Sequence, residues 1–438
     1  MPRTGLLRLV SGEAKAYGGG PMVGFSGNFG EQILARAKEL AAISEDDGAL
    51  TRLFLSPQHK AANDRVAGWM RDASLSARVD PIGNLVGRYE GETPGLPAVM
   101  LGSHLDTVRD AGMYDGMLGV LTAISCVEAL ARQGRRLPFA IEVIGFADEE
   151  GVRFGSAMQG SHAIAGTFDP ARLTMQDAAG IAMSTALEEF GLDPTAVSGA
   201  ARRRQDILAY VELHIEQGPV LERHGLPVGI VTSINGVTRL EVTLLGHAGH
   251  AGTVPMDQRQ DALAAAAECV LAVEARCRAE SGLVGTVGVL HASPGAINVI
   301  PGEAHFFVDL RAPEDAPRRA AVEDVQSAIA AIAARRGVTQ RSRVVHELAA
   351  APCAPWLMGQ IERAVEAEAI VPFRLPSGAG HDGMVIKTIA DIGMIFVRCA
   401  GGVSHNPAES ITAADAEAGA RVLLRFLEAF KPEPAHGR

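Results

Sequence analysis

The sequence has few cysteines and no C-x-x-C pair among them: Cys126, Cys269, Cys277, Cys353 and Cys399 are odd in number. Neither a disulfide framework nor a thiolate zinc site is indicated, and a reducing cytoplasm is the expected compartment. Long apolar runs are missing too. None approaches the roughly 18–20 residues that cross a bilayer, and the opening MPRTGLLRLVSGEAKAYGGG has no sustained apolar core before a small-residue cleavage site, so no export signal is expected. Basic charge is in deficit, with 40 Lys and Arg against 51 Asp and Glu. That balance argues against nucleic acid or an anionic membrane as a partner, since both demand a basic surface. No repeat recurs at a fixed period.

What is present is ordinary globular material: 47% hydrophobic and 21% charged residues over 438 positions, too long for one core of roughly 100–200 residues. Residues 1–30 include the glycine-rich YGGGPMVGFSGNFG and are expected to form an arm without periodic structure. Helical periodicity follows at 31–42 and at 56–72, the latter opened by Ser-Pro. Apolar runs at 76–79, 84–89, 98–101 and 141–147 read as strands, with a helix at 118–132 between the last two. This alternation predicts an α/β domain. A strand at 209–215 precedes a change of texture. Strand-like 239–245, an alanine-rich helix at 259–278, strands at 285–290 and 305–310 and a helix at 316–335 predict a separate α+β unit. Helix 356–369, strand 394–397 and helix 413–430 then resume the first domain. The expected division is 31–232 with 349–438 for one domain and 233–348 for an insertion.

Chemistry-bearing residues recur where strands are expected to stop. In GSHLDTV the run AVML delivers His104 and Asp106 to a strand end, a common ligand position in open α/β sheets. His104 offers an imidazole to a metal, and Asp106 is placed to accept the other ring N–H. Asp115, in MYDGMLGV, is either a helix cap or a carboxylate shared by two cations, and the two roles are compatible. The strand IEVIGFA runs into Asp148-Glu149-Glu150, where Glu150 is assigned as a ligand and Glu149 as the base that takes a proton from water. His214 in YVELHIEQGPVLE and His405 in GGVSHNPAES complete a set of strand-end His and carboxylate donors without cysteine, which suits hard or borderline divalent cations. Any one of these histidines alone would more often be structural.

Taken together, GSHLDTV, YDGMLGV, FADEEGVRFG, LHIEQGPVLE, GHAGHAGTVPM, NVIPG, SGAGHDG and SHNPAES resemble the allantoate amidohydrolase and N-carbamoyl-L-amino-acid hydrolase family, within the wider aminoacylase-like metallopeptidase clan. The resemblance runs from about Thr51 to the C-terminal helix. It implies a mixed-sheet catalytic α/β domain with an inserted α+β lid that also dimerises the protein. It implies two divalent cations, manganese or zinc, with cobalt or nickel as alternatives. Asp115 would bridge them, with His104 and His214 on one and Glu150 and His405 on the other, while Glu149 is general base and Asp106 orients His104. The implied substrate contacts are Gln217, Asn298, Arg311, the turn around Gly380 and His381, and His250, which reaches the partner subunit's site and polarises the scissile carbonyl. The planar fork of Arg311 suits a carboxylate.

The implied reaction is hydrolysis of a ureido bond in a small carboxylate. Allantoate, converted to ureidoglycine or ureidoglycolate with ammonia and CO2 in purine catabolism, is placed first, because LSPQHKAANDRVAGWMRDA and GAGHDG look closest to that branch. N-carbamoyl-L-amino acids or a β-ureido acid are the alternative. A peptidase or aminoacylase is disfavoured by His214, and a non-catalytic binding protein would not need Glu149. Three positions depart from the family pattern: His162 where arginine is common, Gly383 where alanine usually follows GAGHD, and Arg398-Cys399 where Pro-Ser is frequent.

Overall fold

The computed structural model describes residues 28–433, so most of the expected arm lies outside the described residues. The first helix, Phe29–Ala41, begins two residues earlier than its periodicity suggests, because the Asn28 side chain accepts the Glu31 N–H and caps it. The Ser-Pro signal is realised at Pro57–Asp72, where the Ser56 hydroxyl accepts the His59 N–H. Among the described residues no helix is long and apolar enough to cross a membrane.

The chain lays down β1 (Ser76–Val79), β2 (Leu85–Tyr89), β3 (Ala98–His104), β4 (Ala140–Phe146), β5 (Ile207–Ile215) and β6 (Val228–Ile234). It leaves for β7 (Gly236–Leu245), β8 (Gly249–His250), β9 (Val284–Ser293), β10 (Val299–Ile300), β11 (Glu303–Ala312) and β12 (Thr339–Leu348). It then returns as β13 (Ala351–Pro352), β14 (Arg374–Ser377) and β15 (Ile392–Val397). The larger sheet runs β1-β2-β4-β3-β5-β15-β6-β13, with β14 beside β6. Its centre, β4-β3-β5-β15, is parallel throughout, whereas β1 and β2 are antiparallel to their neighbours and β6 is antiparallel to β15 and β13 but parallel to β14, so the sheet is mixed.

The central strands are buried on both faces, which is why they read as unbroken apolar runs rather than alternating ones. Helices Phe29–Ala41, Met117–Arg132, Pro355–Ala367 and Ala413–Ala429 share one core with the sheet. Parallel strands must be rejoined by crossovers, so all four run the same way and release the chain on one edge. That common edge positions the site.

The second sheet, β12-β7-β11-β9, is antiparallel and has its own core with helices Ala262–Arg278 and Asp315–Arg336. Alternation is clear along β11: Ala304, Phe306, Val308 and Leu310 are buried, and His305, Phe307, Asp309 and Arg311 take the other face. Six strands escape the sequence reading: the short β8, β10, β13 and β14, and also β12 and β6. β12 is an edge strand whose Arg341 and Arg343 leave little apolar signal, as edges tend to be charged. β6 is a short apolar run with no turn separating its function from the neighbouring β7, the chain passing between them through Asn235 alone.

Candidate active site

His104 is the last residue of β3 and His214 lies one residue from the end of β5; Asp148, Glu149 and Glu150 follow β4, and His405 lies on the loop after β15. His104, His214, His405 and Glu150 converge on Asp115, which is buried in the loop between β3 and the helix Met117–Arg132. His214 Nε2 stands 3.1 Å and His104 Nε2 3.5 Å from Asp115 Oδ1, while His405 Nε2 is 3.1 Å from Oδ2 and 3.5 Å from Glu150 Oε1. Two potential ligand groups, His104–Asp115–His214 and Asp115–Glu150–His405, therefore share Asp115. The rival capping role is not realised: Gly116 is the N-cap and no side chain caps this helix.

Gly116 is required for two reasons. Its φ of 76° lies in the left-handed region, and a Cβ there would stand 2.5 Å from the His104 ring. Strain is also concentrated around the site, since Asp148, Gln217 and His405 adopt positive φ values of 60°, 56° and 53°.

Ring tautomers are set from outside the cluster. His104 Nδ1 lies 2.9 Å from the main-chain carbonyl of Asp106, and His214 Nδ1 2.9 Å from that of Ile215. An Nδ1–H donated to a carbonyl leaves Nε2 to face Asp115. This corrects the expected role of Asp106. Its carboxylate is 4.0 Å from the ring and instead accepts the N–H groups of Glu149 and Glu150 at 3.1 and 3.2 Å, holding the acidic loop in place. Asp106 thus holds the His104 ring through its backbone carbonyl, while its carboxylate helps raise the imidazole pKa.

The electrostatics explain what this arrangement needs. Burial raises the Glu149 carboxyl well above its usual range, with Glu150, Asp382 and Asp106 adding to the effect against His104. Burial, then crowding by Asp115 and Asp106, pushes Glu150 up to about 7 against the opposing His104 and His405. Asp115 is the exception: burial pushes it up, but hydrogen bonds with His104, His214 and His405 outweigh this and hold it well below the usual value. Correspondingly, burial disfavours the charged forms of His104 and His214, but Asp115 and neighbouring acids raise both pKa values. The N/O donor set without cysteine fits divalent cations, whose charge would offset these crowded carboxylates.

The cluster forms one end of a cleft of about 890 Å³, lined also by Gln217, Arg311, Gly380 and His381. Gln217 Nε2 donates to Asp115 Oδ2 and to Ser404 Oγ, and its buried Oε1 has no hydrogen-bond partner. His381 packs edge-on to His214 and shares a 2.8 Å hydrogen bond with Ser377; burial first, then His214, lowers its pKa well below the usual value. Arg311 comes from β11 and bridges the two sheets, donating to the Gly378 carbonyl at 2.9 Å, but its fork is engaged by Asp309.

Asn298 and His250 do not line the cleft of their own chain. The Asn298 carbonyl accepts the Ala251 N–H, and exposed His250 accepts the Gly252 N–H. Of the departures from the family pattern, only His162 reaches the cleft, where burial and Arg172 push it down to about 4.

Sequence reasoning missed the supports. Glu409, inside the SHNPAES motif, accepts the main-chain N–H groups of Tyr114 and Asp115 and the Ser404 hydroxyl, tying the last loop to the bridging carboxylate. Glu212, two residues before His214 and on the same strand face, accepts from Ser103 and Tyr210. Arg239 and His346 of the second sheet also line the cleft.

The sequence profile of Peptidase family M20/M25/M40 matches residues 100–429. The chain is 44% identical over 400 residues to an N-carbamoyl-L-amino acid amidohydrolase of Geobacillus stearothermophilus, covering 90% of this chain and 97% of that one. It is 40% identical to allantoate deiminase 1 of Glycine max, with 91% and 89% covered. Among solved structures, a hydantoinase/carbamoylase family amidase from Burkholderia multivorans superposes with a TM-score of 0.86 at 32% identity, covering 91% and 97% of the chains.

Gly116→Ala should lose bound metal, read by elemental analysis, whereas Gly95→Ala, at a φ of 80° in open space, should retain it; equal metal content in the two would refute the proposed crowding of His104. Because the His104, His214 and His405 pKa values are raised, metal entry displaces protons. Affinity for Zn²⁺, measured against a competing chelator, should therefore strengthen from pH 6 to pH 8.

Proposed function

The chain belongs to peptidase family M20/M25/M40, and from that premise we propose that it hydrolyses the ureido C–N bond of allantoate. The protein is a hydrolase of C–N bonds other than peptide bonds, as its amidohydrolase and deiminase relatives are named. The observation that carries the reading is the convergence of His104, His214, Glu150 and His405 on one buried carboxylate, with Glu149 beside them in the cleft. A second reading, hydrolysis of N-carbamoyl-L-amino acids, is favoured by the identity to the Geobacillus enzyme. Both substrates present a ureido group and a carboxylate.

In this reading His104 and His214 would hold one cation and Glu150 and His405 the other, with the Asp115 carboxylate within reach of both groups. Manganese or zinc is the expected occupant, with cobalt or nickel tolerated by the same donors. Two such cations supply Lewis acidity and make water nucleophilic at neutral pH. Glu149 takes the proton of the attacking water and passes it to the leaving nitrogen. The unpartnered Oε1 of Gln217 accepts a ureido N–H. His381, held by Ser377, presents its ring at the cleft wall beside the Gly380 turn.

His250, on β8, and Asn298, just before β10, lie outside their own cleft, which supports a homodimer built through residues 233–348 in which His250 serves the partner's site. That segment acts as lid and dimerisation unit on a catalytic unit of 31–232 and 349–438, and its closure brings Arg311 and Asn298 towards the substrate. A cytoplasmic setting accords with five free, buried cysteines.

The reading is tested by ammonia release from allantoate and from N-carbamoyl-L-amino acids, using chelator-stripped protein reloaded with Mn²⁺ or Zn²⁺. Metal-dependent turnover of allantoate alone is the expected result; turnover only of carbamoyl amino acids would establish the second reading. Glu149→Gln should keep its metal and lower kcat by about 10²–10⁴-fold, the usual contribution of a positioned acid–base group. Retained turnover would remove Glu149 from the mechanism.

A further inference from the structure

The helix Gln159–Ile164 follows the acidic loop and folds back onto its root. The Gly160 N–H donates to the Ala147 carbonyl at 2.8 Å and the Gln159 N–H to the Asp148 carbonyl at 3.4 Å, so the helix starts beside the residues that lead into Glu149. Gly160 permits this contact, since a Cβ there would stand 2.0 Å from Asn84 Oδ1 and 2.7 Å from the Ala147 nitrogen. His162, on the same helix, lines the cleft that holds Glu149 and His104, together with Thr167 and Arg172. Its Nδ1 shares a 2.8 Å hydrogen bond with the Thr167 hydroxyl, and its Nε2 has no hydrogen-bond partner among the described residues. Burial and then Arg172 push the imidazole pKa down to about 4, so the ring is uncharged at neutral pH. Arg172 is oriented in turn. Its Nη1 donates to Oε1 of fully buried Gln159 at 3.0 Å, and Gln159 Nε2 is fixed on the Ser156 carbonyl at 2.6 Å. The Nε and Nη2 of Arg172 have no hydrogen-bond partner among the described residues. This wall of the cleft therefore offers a neutral imidazole and an open guanidinium edge, neither of which serves the chemistry at Asp115.

We propose that His162 and Arg172 bind the second ureido arm of allantoate, the one that is not cleaved. The assignment rests on the ureido-hydrolase reading above and adds to it the group that separates allantoate from an N-carbamoyl amino acid. A ureido group is uncharged and carries one carbonyl acceptor beside its N–H donors. The Nε–Nη2 edge of Arg172 meets the carbonyl oxygen, in a hydrogen bond strengthened by the guanidinium charge. His162 Nε2 accepts a ureido N–H while Nδ1–H is donated to Thr167. A protonated imidazole has no acceptor, so the low basicity of this ring matters to the fit. Arginine, common at this position in the family pattern, has no acceptor either. It would forfeit the N–H contact and set a second positive charge beside Arg172. His162 exchanges that charge for an acceptor.

The matched pair for the test is allantoate and N-carbamoylglycine, which share a carboxylate and one ureido group on the same carbon and differ only in the second ureido arm. Both are titrated calorimetrically into Mn²⁺-loaded Glu149→Gln protein. Allantoate should bind more tightly. His162→Phe and, separately, Arg172→Met should each weaken allantoate by about 3- to 30-fold, the range of one hydrogen bond to a neutral or a charged group, and leave N-carbamoylglycine nearly unchanged. His162→Gln, which keeps an acceptor, should recover most of the loss. Equal weakening of both ligands in both variants would put a shared group at this wall and overturn the assignment. So would an allantoate preference untouched by either substitution, or no preference from the start. If wild-type protein releases ammonia from allantoate while the preference ignores His162 and Arg172, the subsite falls and the hydrolase reading stands. If the preference depends on both residues but no ureido carboxylate yields ammonia, the hydrolase reading falls and the subsite stands.

Discussion

The structure is organised around negative charge that has been taken out of water. Asp115, Glu149 and Asp106 are each under a tenth exposed, and Glu150 is close behind. An ionised carboxylate in such a place costs several kcal/mol unless it is paired. The protein answers with imidazoles, of which three reach Asp115, and with backbone N–H groups, which reach Asp106 and Glu409. These partners do not neutralise the set. Raised carboxyl pKa values beside raised imidazole pKa values describe a pocket short of positive charge, and protons fill the deficit when nothing stronger does. Divalent cations are the stronger occupant, so the same constraint that makes the pocket costly makes it selective for metal.

That constraint explains why the scaffold is a parallel sheet. The acids and imidazoles come from segments spread from residue 104 to residue 405, and only a common edge can bring them within hydrogen-bond distance of one carboxylate. Parallel strands provide that edge, because each buried strand stops being apolar at the same level and hands its next residues to the site. The supports are longer in range still. Glu409 grips the Asp115 main chain across nearly three hundred residues of sequence, so the final loop and the first ligand loop are positioned as one piece.

This is also why the sequence revealed so much of the site and so little of what holds it. An apolar run leading closely into His or Asp is a one-dimensional signal, and β3, β4 and β5 each carry it, whereas His405 follows β15 only after a loop. The mixed α/β sheet and its central strands were legible for the same reason. Other features are set by geometry that leaves no local trace. Whether His104 leans on the Asp106 carboxylate or on its carbonyl differs by about one bond rotation. Asp309 and Arg239 are neighbours only through the β7–β11 register, and on their own strands they look like solvated charges. β12, charged and exposed, gives no apolar alternation to read. For His250 the resemblance already implied a place in the partner's site, whereas nothing in the motif of Asn298 placed it outside the cleft of its own chain.

The division of labour between the two sheets has a consequence for specificity. The cluster of imidazoles and carboxylates sits on the edge of the larger sheet, while Arg239 and Arg311 reach the cleft from the smaller one, and the chain crosses between them only at Asn235 and near Ala350. A molecule bearing a ureido group without a carboxylate engages one sheet and leaves the other uncommitted. A molecule bearing both spans the cleft, so binding energy at the remote carboxylate can be spent on orienting the scissile carbonyl rather than only on affinity. Discrimination then depends on engaging both sheets at once, which a single pocket wall could not require.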